Sequence, residues 1–164
     1  MTKERTTMED SAAYKVIIAA TDGSAAALEA VKHAVSLAKV YAASLRVVYV
    51  ANVHISFHLG TYQQMAIDIL KEEGNRAVDE AVGLAKDAGL QDVSGVVLTG
   101  NPRQDLVAWA EEQGADLMVL GSHGYSRFSA LMIGSVADYV VHNAPCSVLL
   151  VRGEADNKTG KSDQ

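Results

Sequence analysis

The sequence predicts an open, doubly wound (Rossmann-like) α/β fold: a five-stranded parallel sheet with helices on both faces. Two observations carry that expectation. Short apolar runs alternate along the chain with longer stretches of helical periodicity, in the order β-α-β-α-β-α-β-α-β. The runs are almost continuously apolar, the pattern of strands buried on both faces rather than the alternation of a half-solvated antiparallel sheet. Right-handed crossovers then connect the strands.

The first run, Lys15–Ala20 (KVIIAA), is read as a strand. Ser24 is placed to cap a helix from Ala25 to about Ala42, with Leu28, Val31, Val35 and Ala38 on one face and Glu29, Lys32 and Lys39 largely on the other. Leu45–Val50 (LRVVYV) is the second strand, and Ala51–Gly60 a loop. From about Tyr62 to Ala88 a long helical pattern follows, with Met65, Ile69, Ala77, Ala81 and Ala85 able to share a face. Lys71-Glu72-Glu73-Gly74 interrupts it; one long helix extending beyond its neighbours is the plain explanation, and a break near Gly74 the competing one. Val93–Thr99 is the third strand despite its central glycine.

Asn101-Pro102-Arg103-Gln104 reads as a helix start: Asn caps, Pro suits the first helical position, and Gln can answer the cap. That helix runs to about Gln113, where Gly114 ends it. Asp116–Leu120 is the fourth strand, Ser135–His142 the last helix, and Cys146–Val151, after the Pro145 turn, the last strand. Residues 13–152 form one domain; residues 1–12 and 153–164 have no apolar periodicity and are expected to be flexible tails. Gly160-Lys161-Ser162 imitates the end of a Walker A loop, but Ala155 replaces its first glycine and no strand or helix frames it.

Composition narrows the function classes. With 164 residues and 49% apolar content the chain can build a core. Cys146 is the single cysteine, which leaves no intrachain disulfide and no multi-cysteine zinc site, and fits a reducing, cytoplasmic home. No stretch is long and apolar enough to span a membrane. The formal charge of −6 and the scatter of the basic residues argue against nucleic-acid partners.

In an open α/β sheet, ligands sit beyond the carboxyl ends of the strands, where the strand order reverses. After strand one stand Thr21-Asp22-Gly23-Ser24. Asp22 can form a local Asx-type turn or cap, or accept from a ribose hydroxyl or a base amine. After strand four come Gly121, Ser122, His123, Gly124 and Arg127, then Gly134-Ser135-Val136, a G-x2-G-x9-G-S spacing. Glycines let a backbone approach an anion closely, and the exposed amides of a helix start attract phosphate. Ser135 is read as the start of the last helix, with Asp138 completing a capping box. Two glycine-containing turns could therefore grip a polyphosphate between them.

These residues resemble the universal stress protein family, in its ATP-binding form. The resemblance lies in VIIAATDGS (Val16–Ser24), Gly100-Asn101-Pro102, DLMVLGSHG (Asp116–Gly124) and GSVADYVVHNAPCSVLLV (Gly134–Val151), and covers about residues 14–152. It implies a triphosphate resting on Gly124, Gly134 and Ser135, with Gly121 at the ribose or phosphate turn and Val136 near the phosphates. Asp22 would serve the ribose and adenine, and Val50 would pack on the adenine. A divalent cation, Mg²⁺ or Mn²⁺, would accompany the ligand. It also implies a homodimer paired antiparallel through Cys146–Val151, which would cover an apolar edge strand. Ala20, beside Thr21, stands where the family often has proline, leaving a looser backbone at the adenine edge.

Other residues fit plainer roles. His54 and His58 lie in the expected loop with no third ligand nearby and read as surface residues. His123 either touches ligand or packs beneath the turn; Arg127 is the nearest cation to the phosphates. Cys146 reads as a core thiol. One arginine and no evident base make efficient ATP hydrolysis unexpected. The leading expectation is a nucleotide-gated signalling or scaffold dimer, in which ATP orders the 121–135 segment. The alternatives are a slow ATPase or self-phosphorylating enzyme on Ser or Thr, and a pure interaction module whose glycines only make turns. A flavin or nicotinamide enzyme is disfavoured, because no G-x-G-x-x-G follows strand one.

Overall fold

The computed structural model describes residues 14–123 and 132–153, leaving aside the side chains of residues 55–57. Gly124, Arg127 and most of both expected tails lie outside the described residues. Five parallel strands form one sheet: β1 Val16–Ala20, β2 Ser44–Asn52, β3 Val93–Gly100, β4 Leu117–Gly121 and β5 Ser147–Val151. Their order is β3-β2-β1-β4-β5. The chain winds outward from β1 to β3, then returns to the other side with β4, so the order reverses between β1 and β4.

Helices α1 (Ala25–Tyr41) and α2 (Gln63–Asp87) cover one face; α3 (Pro102–Glu112) and α4 (Ser135–Asn143) cover the other. The expected fold class is the observed one. Strand residues divide by parity. Ile17, Ala19, Val47 and Tyr49 enter the core under α1 and α2, while Ile18, Ala20, Val48 and Met118 enter the core under α3 and α4. Ile17, Ile18, Val47 and Met118 have no exposed surface, and each contributes roughly 1.5–3 kcal/mol of transfer free energy. Asp116 lies just before β4, not in it; its Oδ2 accepts from the backbone N–H groups of Lys15 and Val16 at 2.8 and 2.9 Å, anchoring the start of β1.

Several local expectations are corrected. The buried face of α1 is Ala27, Ala30, Val31, Ala34, Val35 and Ala38, with Leu28 only half-buried; the small residues bring the helix close to the sheet. The segment expected as a loop continues β2 to Asn52 and then forms a 3-10 helix, Val53–Tyr62, broken at Gly60 (φ 54°). The long helix is borne out: α2 runs unbroken through Gly74, which lies buried against the Tyr49 ring. The glycine is a notch, not a break: a Cβ there would stand 2.6 Å from Tyr49 Cδ1 and 3.0 Å from Val97 Cγ1. Gly95 in β3 does the same for Val78 of α2. Met65 and Ile69, expected on the buried face, are 62% and 50% exposed, because the first turns of α2 overhang the carboxyl edge of the sheet.

Two caps also differ. Asn101 caps α3 by accepting from Arg103 N–H at 3.0 Å, but Asp105, not Gln104, answers it, its Oδ2 accepting from Asn101 N–H at 2.7 Å. The N-cap of α4 is Gly134, which places Ser135 inside the first turn and removes the Ser135–Asp138 capping box.

Candidate functional site

The reversal of strand order between β1 and β4 opens a cleft of about 850 Å³ at the carboxyl edge of the sheet. The chain reaches it from four strand or helix ends. Strand β1 delivers Ala20, Thr21 and Asp22; β2 delivers Val48, Tyr49 and Val50; β4 delivers Gly121, Ser122 and His123; the start of α4 delivers Gly134, Ser135 and Val136. All the candidate site residues that the structure describes therefore line one cavity, although they lie more than 110 positions apart in sequence. Gly124 and Arg127 fall outside the described residues.

At the β1 end, the two readings of Asp22 coexist. Its Oδ1 accepts from Ser24 N–H at 2.9 Å, which is the local turn. No other hydrogen bond to its carboxylate occurs among the described residues, and Asp22 lines the cleft. Thr21 supports the same turn, its Oγ1 accepting from Gly23 N–H at 3.1 Å while its own N–H donates to Val48 O at 2.9 Å. Gly23 takes φ 82°, a conformation that costs a glycine little. Ser24, nearly buried, caps α1 by accepting from Ala27 N–H at 3.2 Å. This end is thus a finished turn with one carboxylate oxygen left over.

The β4 end is finished differently. Ser122 N–H donates to Val151 O at 2.9 Å, and Gly134 N–H donates to Ser122 O at 2.8 Å. That second bond holds the start of α4 against the end of β4. His123 lines the cleft beside Ser122, its Nδ1 lying 2.9 Å from Ser122 Oγ, so the imidazole is both at the cavity and packed into the turn. Gly121 has a packing reason of its own: a Cβ there would stand 3.1 Å from the backbone carbon of Ala26 in α1.

Gly134 has no side chain with which to cap α4. The N–H groups of Ser135, Val136 and Ala137 are the first three of that helix, and none has a hydrogen-bond partner among the described residues. All three residues line the cleft. The cavity therefore meets the positive end of a nine-residue helix, a place that favours an anion. Val48, Val50, Leu106 and Val136 add apolar lining to the same space.

Sequence reasoning missed the wall contributed by α2. Leu70, Glu73, Arg76, Ala77 and Glu80 line the cleft from the α1–α2 side, because α2 overhangs the sheet edge. The only signal for this was the length of the helix, 25 residues against 17 for α1. His54 and His58 bring no metal site with them: among the described residues no three His, Cys, Asp or Glu side chains are grouped to hold a metal ion. Cys146 precedes β5 and is half-buried; burial, then the Asp116 carboxylate, push its thiol up, while a hydrogen bond with the Met118 backbone pulls it down. No helix among the described residues is long and apolar enough to cross a membrane.

Comparison with known proteins places this geometry. The model of the universal stress protein family matches residues 13–152. The universal stress protein MJ0531 of Methanocaldococcus jannaschii is 37% identical over 142 residues, which are 85% of this chain and 82% of that protein. Among solved structures, the universal stress protein UspA from Lactobacillus plantarum superposes with a TM-score of 0.77 at 27% identity, covering 86% of this chain and 99% of that one. A universal stress protein solved in complex with cAMP superposes with a TM-score of 0.68 at 30% identity, covering 87% and 99%. With the doubly wound sheet and the reversal-point cleft already in place, the match over residues 13–152 settles the family: the chain belongs to the universal stress proteins.

Proposed function

We propose that the chain is a stress-response protein that binds an adenine nucleotide, ATP in the first instance, in the cleft between β1 and β4 and acts as a nucleotide-dependent switch or scaffold. The observation that carries the reading is the start of α4, uncapped among the described residues, whose N–H groups at Ser135, Val136 and Ala137 suit phosphate oxygens. The rest of the cleft suits the remainder of a nucleotide. Val50 and Leu106 offer an apolar slot for a planar base, and the free carboxylate oxygen of Asp22 can accept from a ribose hydroxyl or a base amine. The cAMP complex of a relative 30% identical to this chain supports a nucleotide as the class of ligand.

A divalent ion, Mg²⁺ or Mn²⁺, would accompany a triphosphate here chiefly on the phosphate oxygens and water. Among the described residues the phosphate end of the cleft offers it a hydroxyl at Ser135 and no grouped carboxylates, which suits a hard octahedral ion held mainly by phosphate oxygens and water. The ion would neutralise phosphate charge; the chain's own groups orient the nucleotide. Binding rather than turnover is the activity proposed; turnover would further require a group that positions water in line with the terminal phosphate. We further propose a homodimer through β5 in the cytoplasm. Strand β5 is an edge of the sheet, and its Val148, Leu149 and Leu150 are only half-buried in the single chain, an apolar edge that a second copy would cover.

Native mass spectrometry of gently purified protein tests both parts. The expected species is a dimer carrying one ATP and one divalent ion per chain, with Asp22→Ala and Ser135→Ala weakening retention. A species that stays bare in excess ATP-Mg overturns the nucleotide reading, and a monomer at every concentration overturns the dimer.

A further inference from the structure

A second, smaller cavity of about 210 Å³ opens beside the cleft. It shares Asn52, Pro102, Ser135 and Val136 with the cleft, and His54, Asn101 and Arg103 complete its lining. These residues come from the end of β2 with the start of the 3-10 helix that follows it, the start of α3 and the start of α4, so three segments of the chain converge on it. The volume is that of several water molecules at about 30 Å³ each, enough for a phosphate-sized group.

The lining is rich in donors and poor in acceptors. No residue of it is acidic, in a chain with six more carboxylates than basic side chains. Both asparagines already use their oxygens: Asn52 Oδ1 accepts from His54 N–H at 3.2 Å, and Asn101 Oδ1 accepts from Arg103 N–H at 3.0 Å. A backbone N–H fixes which end of each amide is oxygen, so the NH₂ end is left over as a pair of donors. Neither NH₂ has an acceptor among the described residues, and neither does the Ser135 hydroxyl. The exposed Arg103 guanidinium makes no ion pair among the described residues either. The nearest carboxylate in sequence, Asp105, gives its Oδ2 to Asn101 N–H at 2.7 Å and is not part of the lining.

We infer that this side cavity is a second anion subsite, taking a phosphate-sized oxyanion on the Arg103 guanidinium and the side-chain amides of Asn52 and Asn101. Charge-assisted bonds from a guanidinium to an oxyanion are the strong ones, and Arg presents several donors in one plane. The oxyanion has two sources. It is a free inorganic phosphate, or it is a phosphate carried by the molecule in the adjoining cleft, since four shared residues let one ligand reach both.

The test begins with inorganic phosphate alone, titrated into the isotope-labelled full chain. It is followed through the Arg103 Nε–H and the Asn52 and Asn101 side-chain NH₂ resonances by NMR. Saturable shifts of these signals are expected, and Arg103→Gln weakens the apparent affinity roughly tenfold while Arg103→Lys restores part of it. Arg103 is exposed, so the variants keep the spectrum of the core. Signals that stay still in excess phosphate, or that move equally in Arg103→Gln, overturn the subsite. A second titration, with ATP and with adenosine 3′,5′-bisphosphate, identifies the source. If the nucleotide moves the same signals and added phosphate no longer does, the oxyanion belongs to the cleft's ligand. If phosphate still moves them on nucleotide-saturated protein, it is the free ion. Phosphate shifts with no nucleotide binding uphold the subsite and overturn only the nucleotide reading of the cleft.

Discussion

Replacing Gly74 by alanine sets two effects of opposite sign against each other. Alanine is favoured over glycine in a helix interior by about 0.8–1.0 kcal/mol, so propensity alone predicts a more stable protein. The added Cβ, however, would stand 2.6 and 2.9 Å from two carbons of the Tyr49 ring and 3.0 Å from Val97 Cγ1. Tyr49 is only 8% exposed and has little room to retreat, so α2 or β2 must shift. Overpacking of this kind costs about 1–3 kcal/mol, which leaves a net loss of roughly 0–2 kcal/mol. Gly83 is the control in the same helix: a Cβ there meets nothing within 4 Å, so Gly83→Ala should gain up to about 1 kcal/mol. The two variants should therefore differ by roughly 1–3 kcal/mol. Urea denaturation of both, without nucleotide, reads that difference, and thermal melts should separate by about 2–4 °C for each kcal/mol in a chain of 164 residues. If Gly74→Ala stabilises as much as Gly83→Ala, α2 does not lie that close to the sheet, and the notch argument is refuted.

Gly121→Ala tests whether a cleft glycine has a role before any ligand arrives: its Cβ would press on the α1 backbone at 3.1–3.3 Å, so ligand-free protein should lose about 1–2 kcal/mol in urea denaturation, and an unchanged midpoint would restrict that glycine to ligand contact. Cys146 should alkylate more slowly in native than in unfolded chain at the same pH, because burial and Asp116 disfavour its thiolate. The sign follows: a thiol raised on folding contributes stability that is complete below the ordinary thiol value and is lost as pH rises through the raised one, so iodoacetamide rates measured against pH should show the native curve displaced upward, and coincident curves would remove the effect.

The inner strands were legible because burial on both faces leaves little choice of residue: VIIAA and LMVL appear as runs in the sequence and in β1 and β4 of the sheet, while SVLLV reads as the same kind of run although β5, at the edge, is mostly half-buried. Helix faces were legible only where the sheet lies beneath them. The periodicity of α2 continues smoothly past the sheet edge, so Met65 and Ile69 repeat like core positions yet find no core to enter. Cap partners failed by a single residue, Asp105 for Gln104 and Gly134 for Ser135, because a cap is decided by where the backbone leaves extended geometry. Gly74 was ambiguous for a deeper reason. A glycine that breaks a helix and a glycine that admits a neighbouring ring have the same local sequence, and Tyr49 lies 25 positions away.

The same ambiguity bears on the cleft. A glycine spacing after β4 was the sequence signal for a phosphate site, but Gly121 is also required by the approach of α1. Glycine at Gly121 therefore does not by itself separate a binding turn from a packing turn. What separates them is the state of the polar groups around them. At the β1 end the backbone is answered internally, by Asp22, Thr21 and Ser24. At the α4 end it is not answered among the described residues, and the N–H groups of Ser135, Val136 and Ala137 meet the cleft where an internal partner could have been placed by one Ser or Asp at position 134. A pure interaction module would gain a few tenths of a kcal/mol from that substitution and lose nothing, whereas a nucleotide protein would lose the phosphate's seat. Gly134→Ser therefore weighs the two readings directly: higher stability with retained ATP-Mg binding refutes the assignment of phosphate to the helix start, and higher stability with lost binding supports it.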